Sequence, residues 1–218
     1  MKQFPTESTA SSTSGITFVF HDEDAIIRVW LSTMTGKEKV FANEDLVLEK
    51  RNVTRFKTID TFKYKGTPYE MEILTKMAMG YEIRCYILRE GRVIGGQICE
   101  MDGMGTLNIF EDTDLDSARR RAVDRYRIAA YQQLQEYDLP EASQLTDQLL
   151  GANPHDAEGW LYRACIASLE ERADDCYDAL RQALEYGLTG KDRILTLDYL
   201  AYIRIHPDFQ SFRGQTGL

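Results

Sequence analysis

Three histidines, His21, His155 and His206, are the side chains of this 218-residue chain best suited to move a proton or hold a metal near neutral pH. One of them opens the run His21-Asp22-Glu23-Asp24, an imidazole followed by three carboxylates. Consecutive residues in a tight connector do not all point at one centre, and hard cations want alternating ligands around a glycine turn. The run therefore reads first as a polar link between ITFVF and AIIRVWL. Metal-dependent or other enzymatic chemistry at His21 and the neighbouring acids is the alternative. His155 lies in Asn153-Pro154-His155-Asp156, where Asp156 is a ready helix cap, and His206-Pro207 marks a helix end. The four cysteines, at 85, 99, 165 and 176, form no CxxC pair and read as reduced core thiols of a cytoplasmic protein. A redox pair at Cys165 and Cys176 is the secondary reading. No GxSxG, P-loop or HExxH pattern occurs, and GRVIGGQ lacks the lysine and helix start of a phosphate loop. These patterns assign no catalytic residue, no cofactor and no metal.

Charge narrows the partner classes. The net charge of −9 is spread along the chain, three of the nine in residues 1–112 and six in 113–218. A polyanion partner needs a local surplus of Lys and Arg, so nucleic acid is not expected. Arg119, Arg120, Arg121, Arg125 and Arg127 do cluster, but beside EDTDLD they read as a solvated helix face paired with nearby acids. No apolar run approaches the 18 residues of a membrane span, so no membrane association is expected. MKQFPTESTASSTSG has no apolar signal region, and its Ser/Thr richness reads as a disordered leader over 1–15.

The elements that must position these residues fall into two halves. From 16 to 110, ITFVF, AIIRVWL, EKVFA, LVLEK, YEMEIL, YEIRCYIL and RVIGGQIC are short β-branched and aromatic runs. Tyr81, Ile83, Cys85 and Ile87 alternate as one face of a strand, and Arg89-Glu90-Gly91-Arg92 reads as a hairpin with Gly91 at positive φ. Seven or eight such strands predict an antiparallel β-sandwich. After EDTDLD the spacing turns helical, over about 115–136, 139–150, 156–170 and 173–187. Pro140 falls in a first turn, and Gly151 and Gly187 stand as stop residues. The fold class is thus multidomain, a β-sandwich over 16–110 followed by a helical-repeat domain over 115–213.

A shift of 34 residues superimposes Tyr126 on Trp160, Ala130 on Ala164, Ala142 on Cys176 and Leu149 on Ala183. Small residues at these sites let two helices approach closely. This period resembles the tetratricopeptide repeat, although Glu171 replaces the usual turn glycine and Arg163 the usual leucine. LTLDYLAYIRIHPDFQSF resembles the degenerate segment that closes such repeats in bacterial proteins, covering the apolar end of the stack. The resemblance implies a concave, partner-facing surface at Asp124, Arg127, Tyr131, Leu134 and Gln135, and at Glu158, Leu161, Cys165, Ser168 and Leu169. Tyr131, Leu134, Leu161 and Leu169 would form an apolar strip for a protein or peptide, with Arg127 fixing one acidic group. The Lys and Asn clamp of chaperone-binding members is missing, so chaperone tails are not expected partners. The competing expectation is that these side chains meet the closing helix or the β domain.

In the β half, STMTGKEKVFANEDLVLEKRN with TFKYKGTPYEMEI and YEIRCYILREGRVI resembles the Fas apoptotic inhibitory molecule domain and its bacterial relatives. The shared features are Thr33-x-x-Gly36-Lys37 leading into a strand, a Thr61-Phe62 strand start, and the late hairpin at Gly91. Asn43-Glu44-Asp45 departs from the family's Asp-Gly turn, which implies a hairpin of different length. The resemblance implies an antiparallel sandwich active in interactions rather than catalysis.

Overall fold

The computed structural model describes residues 7–52, 56–77 and 81–218. The chain divides into two compact units, Met1–Ala118 and Arg119–Leu218.

The first unit is a pair of five-stranded antiparallel meanders. One sheet runs in the order β1 (Thr9–Ser11), β2 (Gly15–His21), β3 (Ile26–Leu31), β4 (Lys37–Ala42) and β5 (Asp45–Arg51). The other holds β6 (Lys57–Tyr64), β7 (Thr67–Lys76), β8 (Glu82–Arg89), β9 (Arg92–Met101) and β10 (Leu107–Glu111). Their facing sides share one core, with Phe18, Ile27, Val29 and Val40 from the first sheet against Met71, Cys85, Ile87 and Cys99 from the second. Period two explains this: every second residue of a strand points to the same face. Ile83, Cys85 and Ile87 lie in that core, and Tyr81 packs against it. Gln97 also points inward, donating to the Val19 carbonyl at 2.9 Å and accepting from the Ser8 hydroxyl at 2.8 Å, so it ties the sheets together near β1.

The hairpins follow from local conformation. Glu90 (φ 50) and Gly91 (φ 83) both take the left-handed region, the two-residue turn whose twist matches the strands it joins. The β4–β5 connection is equally short: Asn43 has φ 55, accepts from the Ile26 N–H and donates to the Tyr64 hydroxyl. Thr61 and Phe62 lie inside β6 rather than at its start, because pairing with β7 begins at Lys57. Residues 9–11 also correct an expectation. Within the segment read as a disordered leader, β1 pairs with β2, with Thr9 opposite Thr17 and Ser11 opposite Gly15. Polar composition hid a strand held by backbone bonds and by Ser8, whose hydroxyl accepts from the Val19 N–H. Residues 1–6 of that segment lie outside the described residues.

The second unit is helical: α1 (Leu115–Gln135, its first turn within the first unit), α2 (Leu139–Ala152), α3 (Ala157–Leu169) and α4 (Ala173–Glu185). The 34-residue period is visible in the element bounds, since α1 ends at 135 and α3 at 169, while α2 begins at 139 and α4 at 173. Tyr137 and Glu171, also 34 apart, both take φ 59 at the helix ends. Ala130, Ala142, Ala164, Cys176 and Ala183 are wholly buried. At Gly159 a Cβ would come within 3.0 Å of both Leu149 and Leu150, which shows how closely α3 approaches α2. Asp156 caps α3, accepting from the Gly159 N–H at 2.9 Å. Gly187 ends α4 with φ 83. Gly151 is not a stop; α2 continues through Ala152 and ends at Asn153, whose N–H bonds the Leu149 carbonyl. The closing segment forms α5 (Arg193–Thr196), a 3-10 turn (Asp198–Leu200), α6 (Ala201–Ile205) and α7 (Phe209–Thr216). It packs on α3 through the turn and α6, and on α4 through α7. No helix is long and apolar enough to cross a membrane among the described residues.

Candidate functional site

The acidic connector is committed to structure. Asp22, at one end of the β2–β3 link, accepts the Tyr69 hydroxyl at 2.7 Å and pairs with Arg89 at 3.2 Å. Arg89 also reaches Asp24 at 2.9 Å and Glu23 at 3.6 Å, so a guanidinium from one sheet gathers all three carboxylates of the other. Burial raises the Asp22 pKa, but the Tyr69 and backbone hydrogen bonds and the Arg89 charge outweigh it and hold the carboxyl below the usual range. His21 points to Glu7 instead, at 3.5 Å. Among the described residues no group of three or more His, Cys, Asp or Glu side chains is placed to hold a metal ion.

In the helical unit the two arginines nearest the expected concave face are engaged. Arg127 on α1 bonds the buried Asp156 at 2.5 Å and Asp124 at 3.4 Å, fastening α1 to the start of α3. Arg193 from the closing segment makes a two-pronged pair with Glu158 on α3, at 2.6 and 3.0 Å. Of the expected apolar strip, Leu134 is 1% exposed and Leu161 0%, Leu169 is half-buried, and Tyr131 is open at 39%. The physical reason is register and cover. Val123, Tyr126, Ala130 and Leu134 repeat at helical spacing as the inward stripe of α1, while the closing segment packs on α3. Cys165 and Ser168 are buried with Leu161.

What remains open is a different set. On α1, Asp124, Ile128, Tyr131 and Gln135 form the outward line, with Ile128 61% exposed. Tyr131 lies against Tyr162 with ring centroids 5.9 Å apart. Tyr137, in the α1–α2 turn, meets Tyr199 of the closing segment edge-on at 5.8 Å. Burial, then the neighbouring Tyr131 and Tyr137, push the Tyr199 hydroxyl up, and burial first pushes Tyr162 up to about 12. The exposed Tyr131 and Tyr137 and the half-buried Tyr199 set ring faces beside hydroxyl groups, an apolar body with a polar tip. Sequence register alone missed Ile128, Tyr137 and Tyr199. A usable signal was present, because Ile128 and Tyr131 are an i, i+3 pair of large residues with polar Asp124 and Gln135 in line.

The four thiols, Cys85, Cys99, Cys165 and Cys176, are free and buried. Burial pushes Cys99 up to about 11 and Cys165 and Cys176 up to about 12, with Cys176 adding to the shift at Cys165. Such thiols are poor nucleophiles. Comparison with protein-family models, with curated proteins and with solved structures finds no match to this chain.

Proposed function

We propose that the chain is a non-catalytic interaction protein whose helical unit docks a segment of a partner protein on the ridge of Ile128, Tyr131, Tyr137 and Tyr199. The observation that carries this reading is the exposure of two large residues on one face of α1, continued by the Tyr137–Tyr199 pair, on a unit otherwise well packed. Apolar patches of this kind on a folded surface mark recognition sites, and buried tyrosine anchors each contribute about 2 kcal/mol in such interfaces. The 34-residue period in helix ends supports a tetratricopeptide-like stack, and the two-layer β unit is compatible with the Fas apoptotic inhibitory molecule likeness. The chain's acidity argues for a protein or peptide rather than nucleic acid. Its unpaired thiols suit the reducing cytoplasm. Arg127 acts here as a brace for α3 rather than as the anchor of a ligand's acid.

The test is substitution of Tyr131 and Tyr137 by serine, followed by recovery of bound proteins and by thermal unfolding. The reading expects a partner recovered with the native chain to be lost by at least tenfold from the double variant, with helical content unchanged. Equal recovery of that partner by both forms overturns it.

A further inference from the structure

Two cations stand opposite each other at one end of the β unit. Lys37, the first residue of β4, pairs in register with Arg51, the last of β5, and both side chains are exposed. Like charges directly across a strand pair repel. The neighbouring acids are engaged elsewhere: Glu49 lies 3.4 Å from Lys39, while Glu38 and Asp60 share Lys50. Among the described residues no carboxylate pairs with Lys37 or Arg51. Arg51 Nε donates to the Thr35 carbonyl at 2.9 Å, which fixes the guanidinium and leaves its two terminal nitrogens without a partner among the described residues.

Both residues line a cleft of about 570 Å³, a volume in the range of small-molecule sites. Buried Leu31, Ile73 and Ile83 form its apolar wall. Three large apolar side chains that line it are open to water, Met34 at 81%, Phe56 at 65% and Met77 at 62%. They come from three separate places, the β3–β4 turn, the approach to β6 and the exit of β7, and the Thr75 N–H bonds the Phe56 carbonyl at 2.7 Å to tie the last two together. Exposed apolar groups gathered at one opening mark a recognition site. The rim offers a peptide little. The Met34 and Thr35 N–H groups bond Ser32 Oγ at 3.3 and 3.0 Å, and the Lys37 N–H bonds Thr35 Oγ1 at 3.4 Å. A peptide backbone would need partners that this turn has already used.

We propose that this cleft binds a free amphiphilic acid, a single apolar chain ending in one carboxylate. The chain covers Met34, Phe56, Met77 and the wall beside them, and the carboxylate accepts from the terminal nitrogens of Arg51, with Lys37 adding its charge. The planar end of a guanidinium matches two carboxylate oxygens side by side. Glu38, the one acid in the lining, is 8% exposed and lies 3.1 Å from the Lys50 ammonium, so the charge presented at the mouth is positive in a chain of net charge −9.

The experiment titrates the native full chain with octanoate, octan-1-ol, octylammonium and acetate, following the amide resonances of Phe56, Ile73 and Ile83. Saturable shifts with octanoate are expected, tighter than with the alcohol by about tenfold, the worth of a charge-assisted pair at an exposed site. Octylammonium should bind more weakly than the alcohol, and acetate should not saturate. The double variant Lys37→Gln with Arg51→Gln removes only exposed charge and should bring octanoate down to the level of the alcohol. Met34→Ser with Met77→Ser should weaken octanoate and the alcohol alike. The comparison of probes on the native chain stands even where a variant fails to fold. Equal affinity for octanoate and the alcohol, or a folded Lys37→Gln, Arg51→Gln chain with undiminished octanoate binding, overturns the proposal. Tighter binding of acetyl-leucyl-leucine than of octanoate also overturns it, and gives the cleft to the carboxyl end of a protein.

Discussion

Replacing Asp156 should destabilise the helical unit in two separable steps. Its carboxylate is 3% exposed; one oxygen accepts from the Gly159 N–H at 2.9 Å as the cap of α3, and the other meets Arg127 at 2.5 Å. Asp156→Ala removes the cap, costing about 1 kcal/mol. It also strands the Arg127 guanidinium. Breaking a fully buried pair costs about 3–5 kcal/mol, but the Arg127 side chain is 36% exposed, so about 1–2 kcal/mol is appropriate. The total is about 2–3 kcal/mol. Asp156→Asn keeps a cap acceptor and loses only the charge, so it should cost about 1 kcal/mol less than alanine. Arg127→Met should cost at least about 2 kcal/mol, since it leaves a buried carboxylate unpaired. Urea unfolding followed by circular dichroism at 222 nm reads the helices directly, and the Arg127–Asp156 double-mutant cycle should show coupling of about 1 kcal/mol or more. An Arg127→Met chain as stable as the parent would refute the brace and return Arg127 to the partner-facing surface.

Three further outcomes follow from the same geometry. Glu171 sits at φ 59, so Glu171→Gly should raise stability by about 0.5–1 kcal/mol in urea melts, while Gly187→Ala at φ 83 should lower it by about 1 kcal/mol. Because the folded pKa of Asp22 lies below the ordinary 3.8, its contribution is present above that value and lost as pH falls through the folded pKa; Asp22→Asn should flatten the acid limb of the β unit's stability curve. All four cysteines should resist a thiol reagent at pH 8 in the native chain and react together on unfolding; rapid labelling of any one in the folded state contradicts their burial.

Much of the architecture was legible because it is written in local periods. Alternation in YEIRCYIL gave the core face of β8, Gly91 marked a turn needing positive φ, and the 34-residue shift placed Ala130, Ala164, Ala142 and Cys176 at helix crossings. The site was less legible, since exposure depends on what packs where. Leu134 and Leu161 look equally suited to a groove or a core until the closing segment is laid on α3. Tyr199 joins Tyr137 from 62 residues away, a contact no spacing rule anticipates. Thr9–Ser11 sends only the small Ala10 toward the core and was hidden by its polar composition. Glu38 was readable in principle, being in phase with Val40 and Ala42, but a carboxylate inside a sandwich runs against the hydrophobic pattern used to find strands.

The claim that the aromatic ridge docks a protein is tested most directly by photo-crosslinking in cells. A benzophenone amino acid is placed at Tyr137, 61% exposed on the ridge, and in a parallel chain at Gln210, exposed on α7. The account predicts one dominant crosslinked protein from position 137, lost when Tyr131 and Ile128 are also made serine, and no such product from 210. The same product from both positions, or a product from 137 that survives loss of Tyr131 and Ile128, would contradict it.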